Sequence, residues 1–368
     1  MRTLARAALP PLGAFLVARL FLCLVSAGTW RPPWEAGSWS GPDTAHYVSI
    51  AKQGYALAPC SAADPPPGHC GNAGWMPGYP WALRPFMAAG LSPRKAAVLV
   101  SAAFGLASLS VLWVGFLASW REGGPLALLL AAFFPGQVYE HGAFPMSQLC
   151  FLTLLCLLAA LHARWLLAGA AGFFAALTYS TGWLLAPVLL GWALLGPRAE
   201  LPRRLARAAI AAGLTLAGFV GVLLLQWRQV GAWNAFFLVQ GGYGHRLTNP
   251  VVSWWYTVGQ LLTPPWQGIR EAPHLQTLLV SVWVLVVLAR AVAGRDRSAL
   301  LLALYTLAFW VFPLAMGRGI SLYRSEATLM PSVLLVQGAS RGALALALVG
   351  FVAIAWPMGV LFFRLLLV

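Results

Sequence analysis

Nine acidic residues are all that this chain of 368 carries, so the positions able to take up a proton are few enough to weigh singly. Glu122, Glu200 and Asp296 fall in short Arg-rich connections, whereas Glu35, Asp43, Asp64, Glu140, Glu271 and Glu326 fall on the other side of the apolar segments. Asp43 has the most informative setting, Pro42-Asp43-Thr44-Ala45-His46-Tyr47, on a long loop dense in proline and aromatic residues. Between Thr44 and Gln53 the apolar residues recur at helical spacing and Gly54 is a natural stop, which predicts a short helix with Asp43 at its N-cap. An aspartate there serves as a helix cap whatever the function, or as a general base. The two roles are compatible, because a carboxylate at the positive end of a helix stays ionised and can still face a cavity. His46 and Tyr47, three and four residues on, share its face and either orient that base and touch substrate or anchor the chain at a membrane surface.

Cations that could hold an anionic group lie on the same side: Arg318, Arg324, Arg246 and Lys52, with arginine suited to grip a phosphate. Around them stand Glu140-His141 in one short loop, Tyr323 and Glu326 flanking Arg324 in another, and His245 beside Arg246 in a third. Tyr79, with Trp75 and Trp81, reads equally as an interfacial anchor or a stacking platform. There is no Asp-x-Asp pair, so a nucleotide-linked donor held by a divalent ion finds no support, and neither a metal nor another cofactor is expected. Cys60 and Cys70, ten residues apart in the first large loop, suit a disulfide in an oxidising compartment, and His69 beside them offers only one further ligand to a metal. Cys23, Cys150 and Cys156 lie in apolar runs and read as small core residues.

The elements that must position these groups are set by composition. With 60% hydrophobic residues, 9% charged and a mean hydropathy of +0.76, the chain is an all-α polytopic membrane protein. Apolar runs fall at 4–27, 95–119, 125–138, 146–161, 165–178, 182–196, 208–226, 274–293, 298–316, 327–340 and 342–363, about 11 spans. The first, which carries Arg19, reads as a retained helix rather than a signal peptide. Residues 1–368 form a single integral membrane domain whose two large outer loops are 28–93 and 227–273. Arg121, Arg164, Arg198, Arg203, Arg204, Arg207, Arg295, Arg297 and Arg341 then mark the cytoplasmic side, with the N-terminus cytoplasmic. The net charge of +15 is spread over membrane loops without a Lys/Arg run, which points to anionic headgroups and not to nucleic acid. A transporter or flippase would gather ionisable groups inside its spans; here they gather in the outer loops, which favours an enzyme working at the interface.

The run from Asp43 to Tyr55, followed by Trp75-Met76-Pro77-Gly78-Tyr79-Pro80, resembles the first luminal loop of PIG-V-like mannosyltransferases. The segment from Arg164 through Ser180-Thr181-Gly182-Trp183 and the Tyr323-Arg324 to Met330-Pro331 stretch are similar to later parts of that family. The resemblance implies a GT-C glycosyltransferase that takes a hexose, mannose by family habit, from a polyprenyl-phosphate donor on the extracytoplasmic face. The acceptor would be a lipid-linked glycan, a glycolipid or a protein. It also implies Asp43 as base and inversion at the sugar. The chain departs from the family at Phe144-Pro145-Met146-Ser147, where an acidic residue is absent at Met146 and Glu140 is six residues away. A catalytically silent subunit of a glycosyltransferase assembly is therefore a third reading. Arginine outnumbers lysine heavily, with only Lys52 and Lys95 present, which points to a GC-rich genome and a bacterial plasma membrane.

Overall fold

The computed structural model describes residues 2–60, 68–120, 123–195, 198–294, 296–317 and 321–367. Its helices are α1 (Arg2–Gly28), α2 (Thr44–Gln53), α3 (Gly78–Ala88), α4 (Pro93–Gly115), α5 (Gly124–Ala132), α6 (Val138–His141), α7 (Met146–Leu161) and α8 (Trp165–Thr178). They continue as α9 (Leu185–Leu194), α10 (Leu201–Val230), α11 (Ala235–Gly242), α12 (Pro250–Gly259), α13 (Ala272–Gly294), α14 (Arg297–Ala315), α15 (Leu322–Glu326) and α16 (Arg341–Phe363). A 3₁₀ turn over Gly182–Leu184 leads into α9, and a 3₁₀ helix spans Ala327–Val336. Among the described residues six helices are long and apolar enough to cross a membrane, and 146–161, 165–178 and 182–194 are shorter apolar helices. The two remaining runs of the sequence fall on α5 and on Ala327–Val336, both buried against neighbouring helices.

Packing follows from residue size. Gly169 and Gly172 of α8 face Ala211 and Thr215 of α10, and Gly218 faces the Phe173 carbonyl, so the two backbones approach where no side chain intervenes. α4, α7, α8, α9 and α10 form one side of the bundle; α13, α14, α16 and Ala327–Val336 form the other, and α1 packs on α4, α5 and α16. A second apolar cluster lies above this core, where Tyr47, Ile50, Trp75 and Tyr79 from the first loop meet Phe144, Val239 and Phe362.

The first loop carries the predicted helix α2, which stops at Gly54 with φ 81°. It also holds an antiparallel pair, β1 (Leu57–Pro59) and β2 (His69–Gly71), in which Ala58 faces Cys70, and the Cys60–Cys70 disulfide closes it. Three glutamines lock this loop to the second one. Gln226 Nε2 donates to the Ala73 carbonyl at 2.7 Å, Gln240 Nε2 to that of Gly74 at 2.7 Å, and Gln229 Oε1 accepts from the Tyr55 amide at 2.7 Å.

Candidate active site

Above the bundle, between the two large loops, lies a cavity of about 620 Å³. Its lining includes the polar side chains of Asp43, Tyr47, Tyr179, His245, Arg324 and Ser325 and the apolar ones of Trp183, Leu216, Phe219, Phe236, Phe237 and Phe312.

Asp43 occupies the N-cap position of α2, yet its side chain makes no bond to that helix. Thr44 fastens this end of the helix instead, its hydroxyl donating to the Ala143 carbonyl at 3.2 Å and accepting from the Gly41 amide at 3.1 Å. The Asp43 carboxylate is left to pair with the Arg324 guanidinium. Arg324 enters from α15 with its Cζ 5.7 Å from the centroid of the Phe144 ring. Phe144 is held by Ser101, whose Oγ donates to its carbonyl at 3.0 Å, and Ser101 Oγ lies 2.8 Å from the Tyr79 hydroxyl.

Two further walls complete the space. The His46 ring stacks on Trp75 with centroids 3.6 Å apart and planes 12° from parallel, and Tyr243 meets Trp75 edge-on at 5.8 Å. Tyr55 donates from its hydroxyl to the Trp75 carbonyl at 3.0 Å. Tyr179, Ser180 and Thr181, which follow the end of α8, also line the cavity, and just beyond them Trp183 packs edge-on against Phe312 at 5.3 Å. Burial lowers the pKa of His46 against the opposing pull of Asp43, and burial together with Arg324 lowers that of His245, so both rings are neutral at neutral pH. Burial and then Asp43 raise the pKa of Tyr47, which keeps its phenol a proton donor. Among the described lining residues Asp43 and Arg324 are the one carboxylate and the one guanidinium, and they are paired.

Five of the residues weighed from the sequence line the cavity: Asp43, Tyr47, Trp75, His245 and Arg324. His46 reaches it through Trp75. Lys52 does not, because α2 buries Thr44, Tyr47, Ile50 and Ala51 and turns Lys52 to the exposed side. Tyr79 is neither an anchor nor a platform; it is fully buried, with its hydroxyl donating to the Ala97 carbonyl at 2.8 Å and its ring edge-on to Tyr47. Glu140 lies below the site beside the Cys150 thiol at 3.6 Å, and burial pushes its pKa up to about 8. His141 packs on Phe15, its carbonyl accepting from Arg19, while burial and Arg19 take its pKa down to about 3. Glu326 is buried behind α15, accepting from Gln276 Nε2 at 2.8 Å, its pKa pushed up to about 7 by burial. Tyr323 stacks on Tyr139 at 6.0 Å instead of facing the cavity. Arg246 is exposed, its amide donating to the Met316 carbonyl. Arg318 lies outside the described residues. Met146 is fully buried in the upper apolar cluster, so its position offers no acidic group to the cavity. The sequence reading left Tyr179, Ser180 and Thr181 off the list of site residues, although the Ser180-Thr181-Gly182 stretch was the signal that could have found them.

The bundle, the two interlocked outer loops and the cavity between them make an all-α polytopic membrane protein of the GT-C glycosyltransferase fold. One similar solved structure is the archaeal oligosaccharyltransferase AglB from Archaeoglobus fulgidus in complex with an inhibitory peptide and a dolichol-phosphate, at TM-score 0.52 and 14% identity over 95% of this chain and 56% of that one. Its apo form gives TM-score 0.53, 13% identity and the same coverages. ArnT from Cupriavidus metallidurans bound to undecaprenyl phosphate gives TM-score 0.55 and 17% identity over 90% of this chain and 62% of that one. The chain therefore spans 56 to 62% of the length of these solved structures. No protein-family model and no curated protein sequence matches the chain.

Proposed function

We propose that the protein is an inverting glycosyltransferase that moves a hexose from a polyprenyl-phosphate donor to a hydroxyl of a lipid-linked glycan, glycolipid or protein acceptor. Mannose is the sugar that the first loop's resemblance favours, and the extracytoplasmic face of a bacterial plasma membrane is the place of reaction. One observation carries the reading: a paired carboxylate and guanidinium, Asp43 and Arg324, line a cavity whose other lining is largely aromatic and aliphatic. A polyprenyl phosphate combines the matching two chemistries, and AglB and ArnT were each captured with such a lipid.

In this reaction Asp43 removes the acceptor hydroxyl's proton as its oxygen attacks the anomeric carbon, the bond from that carbon to the phosphate oxygen breaks, and polyprenyl phosphate leaves with the bonding electrons. Arg324 stabilises the negative charge that grows on the phosphate, which gives the leaving group its electrostatic support from the chain itself. Tyr47, kept protonated beside Asp43, and neutral His245 supply hydrogen bonds around the reacting centre.

The test is transfer from radiolabelled polyprenyl-phosphate mannose in membranes bearing equal amounts of wild type or Asp43→Asn. Transfer by the wild type alone supports the reading. Equal transfer by both removes Asp43 as base, and no transfer by either favours a transporter, a silent subunit or another donor.

A further inference from the structure

Asp43 and Arg324 account for the charged lining of the cavity. Thr181 lines it too, and nothing described so far explains its side chain. The residue is 5% exposed, and its hydroxyl is buried without a hydrogen bond to any protein group. A hydroxyl buried so is costly unless something else satisfies it. Thr153 of the bundle is also unpartnered but does not line the cavity, whereas Thr178 and Thr215 avoid that cost by bonding back into their own helix, to the Phe174 carbonyl at 2.8 Å and to that of Ala211 at 3.0 Å.

The backbone explains why Thr181 cannot do the same. Tyr179 is extended at φ −149° and ψ 150°, which breaks α8, and Gly182 then presses on the Ala175 carbonyl so closely that no other residue fits. This turn places Thr181 at the N-cap of the apolar helix running from Gly182 to Leu194, without a side-chain cap bond. Two of the turn's amides are already committed, Gly182 N–H to the Tyr179 carbonyl at 2.9 Å and Leu184 N–H to the Thr181 carbonyl at 3.0 Å. What remains is a free hydroxyl at the positive end of a helix dipole, in a wall with no charge of its own. Arg324 Nε is likewise buried and without a bond, so two of the cavity's lining residues each hold a donor in want of an acceptor.

We propose that Thr181 is a ligand of the donor's phosphate, donating its hydroxyl to a phosphate group that Arg324 grips in the same cavity. This rests on the polyprenyl-phosphate reading above and adds a neutral, helix-end contact to the charged one. The hydroxyl fixes which oxygens face Arg324 and thereby the direction in which the bond to the sugar can break.

The experiment measures binding of undecaprenyl phosphate and of undecaprenol, with inorganic phosphate as competitor, to the full-length protein in nanodiscs, for wild type, Thr181→Val, Thr181→Ser and Arg324→Gln. Thr181→Val keeps the shape and removes the donor. It is expected to weaken undecaprenyl phosphate at least about tenfold while leaving undecaprenol unchanged, and Thr181→Ser is expected to stay near wild type. Ligand-free Thr181→Val should melt at or above the wild-type temperature, since the orphaned hydroxyl is gone, whereas a structural role would lower its Tm. Inorganic phosphate displacing the lipid equally from wild type and variant would show that Thr181 does not contact the phosphate and would overturn the proposal. So would undecaprenyl phosphate binding Thr181→Val as tightly as wild type while Arg324→Gln weakens it, an outcome that spares the polyprenyl-phosphate reading. Failure of the wild type to bind undecaprenyl phosphate sinks both.

Discussion

Asp43 and Arg324, 281 residues apart in the chain, form an ion pair in which each side chain is only 13% exposed. The pair joins the start of α2 in the first loop to α15 near the other end of the sequence, and it does so at the cavity wall. Separating either partner from the other without a replacement leaves a poorly hydrated charge. In the proposed reaction the donor's phosphate is such a replacement for Arg324 and frees Asp43 for proton transfer, so that carboxylate and phosphate compete for one cation.

That competition has a sign that can be measured. Asp43→Asn removes the competitor, so undecaprenyl phosphate is expected to bind on the order of threefold to tenfold more tightly, while transfer falls by on the order of a hundredfold or more. Arg324→Gln is expected to weaken the same binding at least about tenfold. Arg324→Lys should restore little, because an ammonium lacks the planar fork that serves two acceptors. Unchanged binding in Asp43→Asn would show that the pair is structural only.

His46 gives a second expectation, since its ring lies flat on Trp75 and its pKa is lowered by burial. A neutral stacked ring supports Trp75 by contact area more than by proton exchange. His46→Phe is expected to keep kcat within about threefold of wild type, and His46→Gln, which loses the stack, to fall about tenfold with its pH profile unmoved. A profile that loses a limb in His46→Phe would instead mark the histidine as an acid or base.

The parts of this arrangement that the sequence made legible are those set by local pattern. The eleven apolar runs fall on helical segments, and α2 spans Thr44 to Gln53 as its helical period and the Gly54 stop predict, although Asp43 makes no cap bond at its start. Arg324 and Asp43 were recognisable as chemistry, but their meeting across the fold depends on where α15 docks, which no local spacing encodes. Tyr79 shows the opposite failure: an aromatic beside prolines has the look of a membrane anchor, yet Ser101 and Ala97 give its hydroxyl buried partners. Lys52 and Glu140 had the right types and the wrong faces. Thr181 carried little signal because an apolar helix end with one hydroxyl looks like packing until the bond it lacks is known.

Gly78 ties two of these walls together and supplies a test of the scaffold. A Cβ at this position would lie 2.8 Å from the Leu177 carbonyl oxygen and 2.9 Å from Thr178 Oγ1, so α3 sits directly on the end of α8. Backbone cannot yield as a flexible side chain does. Gly78→Ala is expected to cost about 1–3 kcal/mol and to pull α3 away from the turn that bears Tyr179 and Thr181. Lower Tm together with weaker undecaprenyl phosphate binding would show the coupling; a lower Tm with binding intact would show that the two walls are independent.

Glu326 makes the pH dependence of stability readable, because its carboxyl is buried behind Arg324's helix and titrates at about 7 instead of 4.5. A raised acid pKa means that the folded chain holds this proton more tightly than the unfolded one. Its neutral form is therefore fully stabilising below the unfolded value, and the advantage is lost as pH climbs from 4.5 through about 7. The loss amounts to on the order of 3 kcal/mol. His46 and His245, whose pKa values are lowered, shift stability in the opposite direction over part of the same range, so the useful quantity is the difference between variant and wild type. Glu326→Gln keeps an oxygen to accept from Gln276 but never ionises. Its Tm is expected to coincide with wild type near pH 4.5, to exceed it increasingly toward pH 7 and to hold a constant lead above that. Adding Glu140→Gln should extend the growing lead to about pH 8, the value to which burial pushes that carboxyl. A difference that is flat across the whole range would mean that Glu326 is ionised in the folded protein at every pH tested, with the Arg324 guanidinium two residues away as the counter-charge to examine.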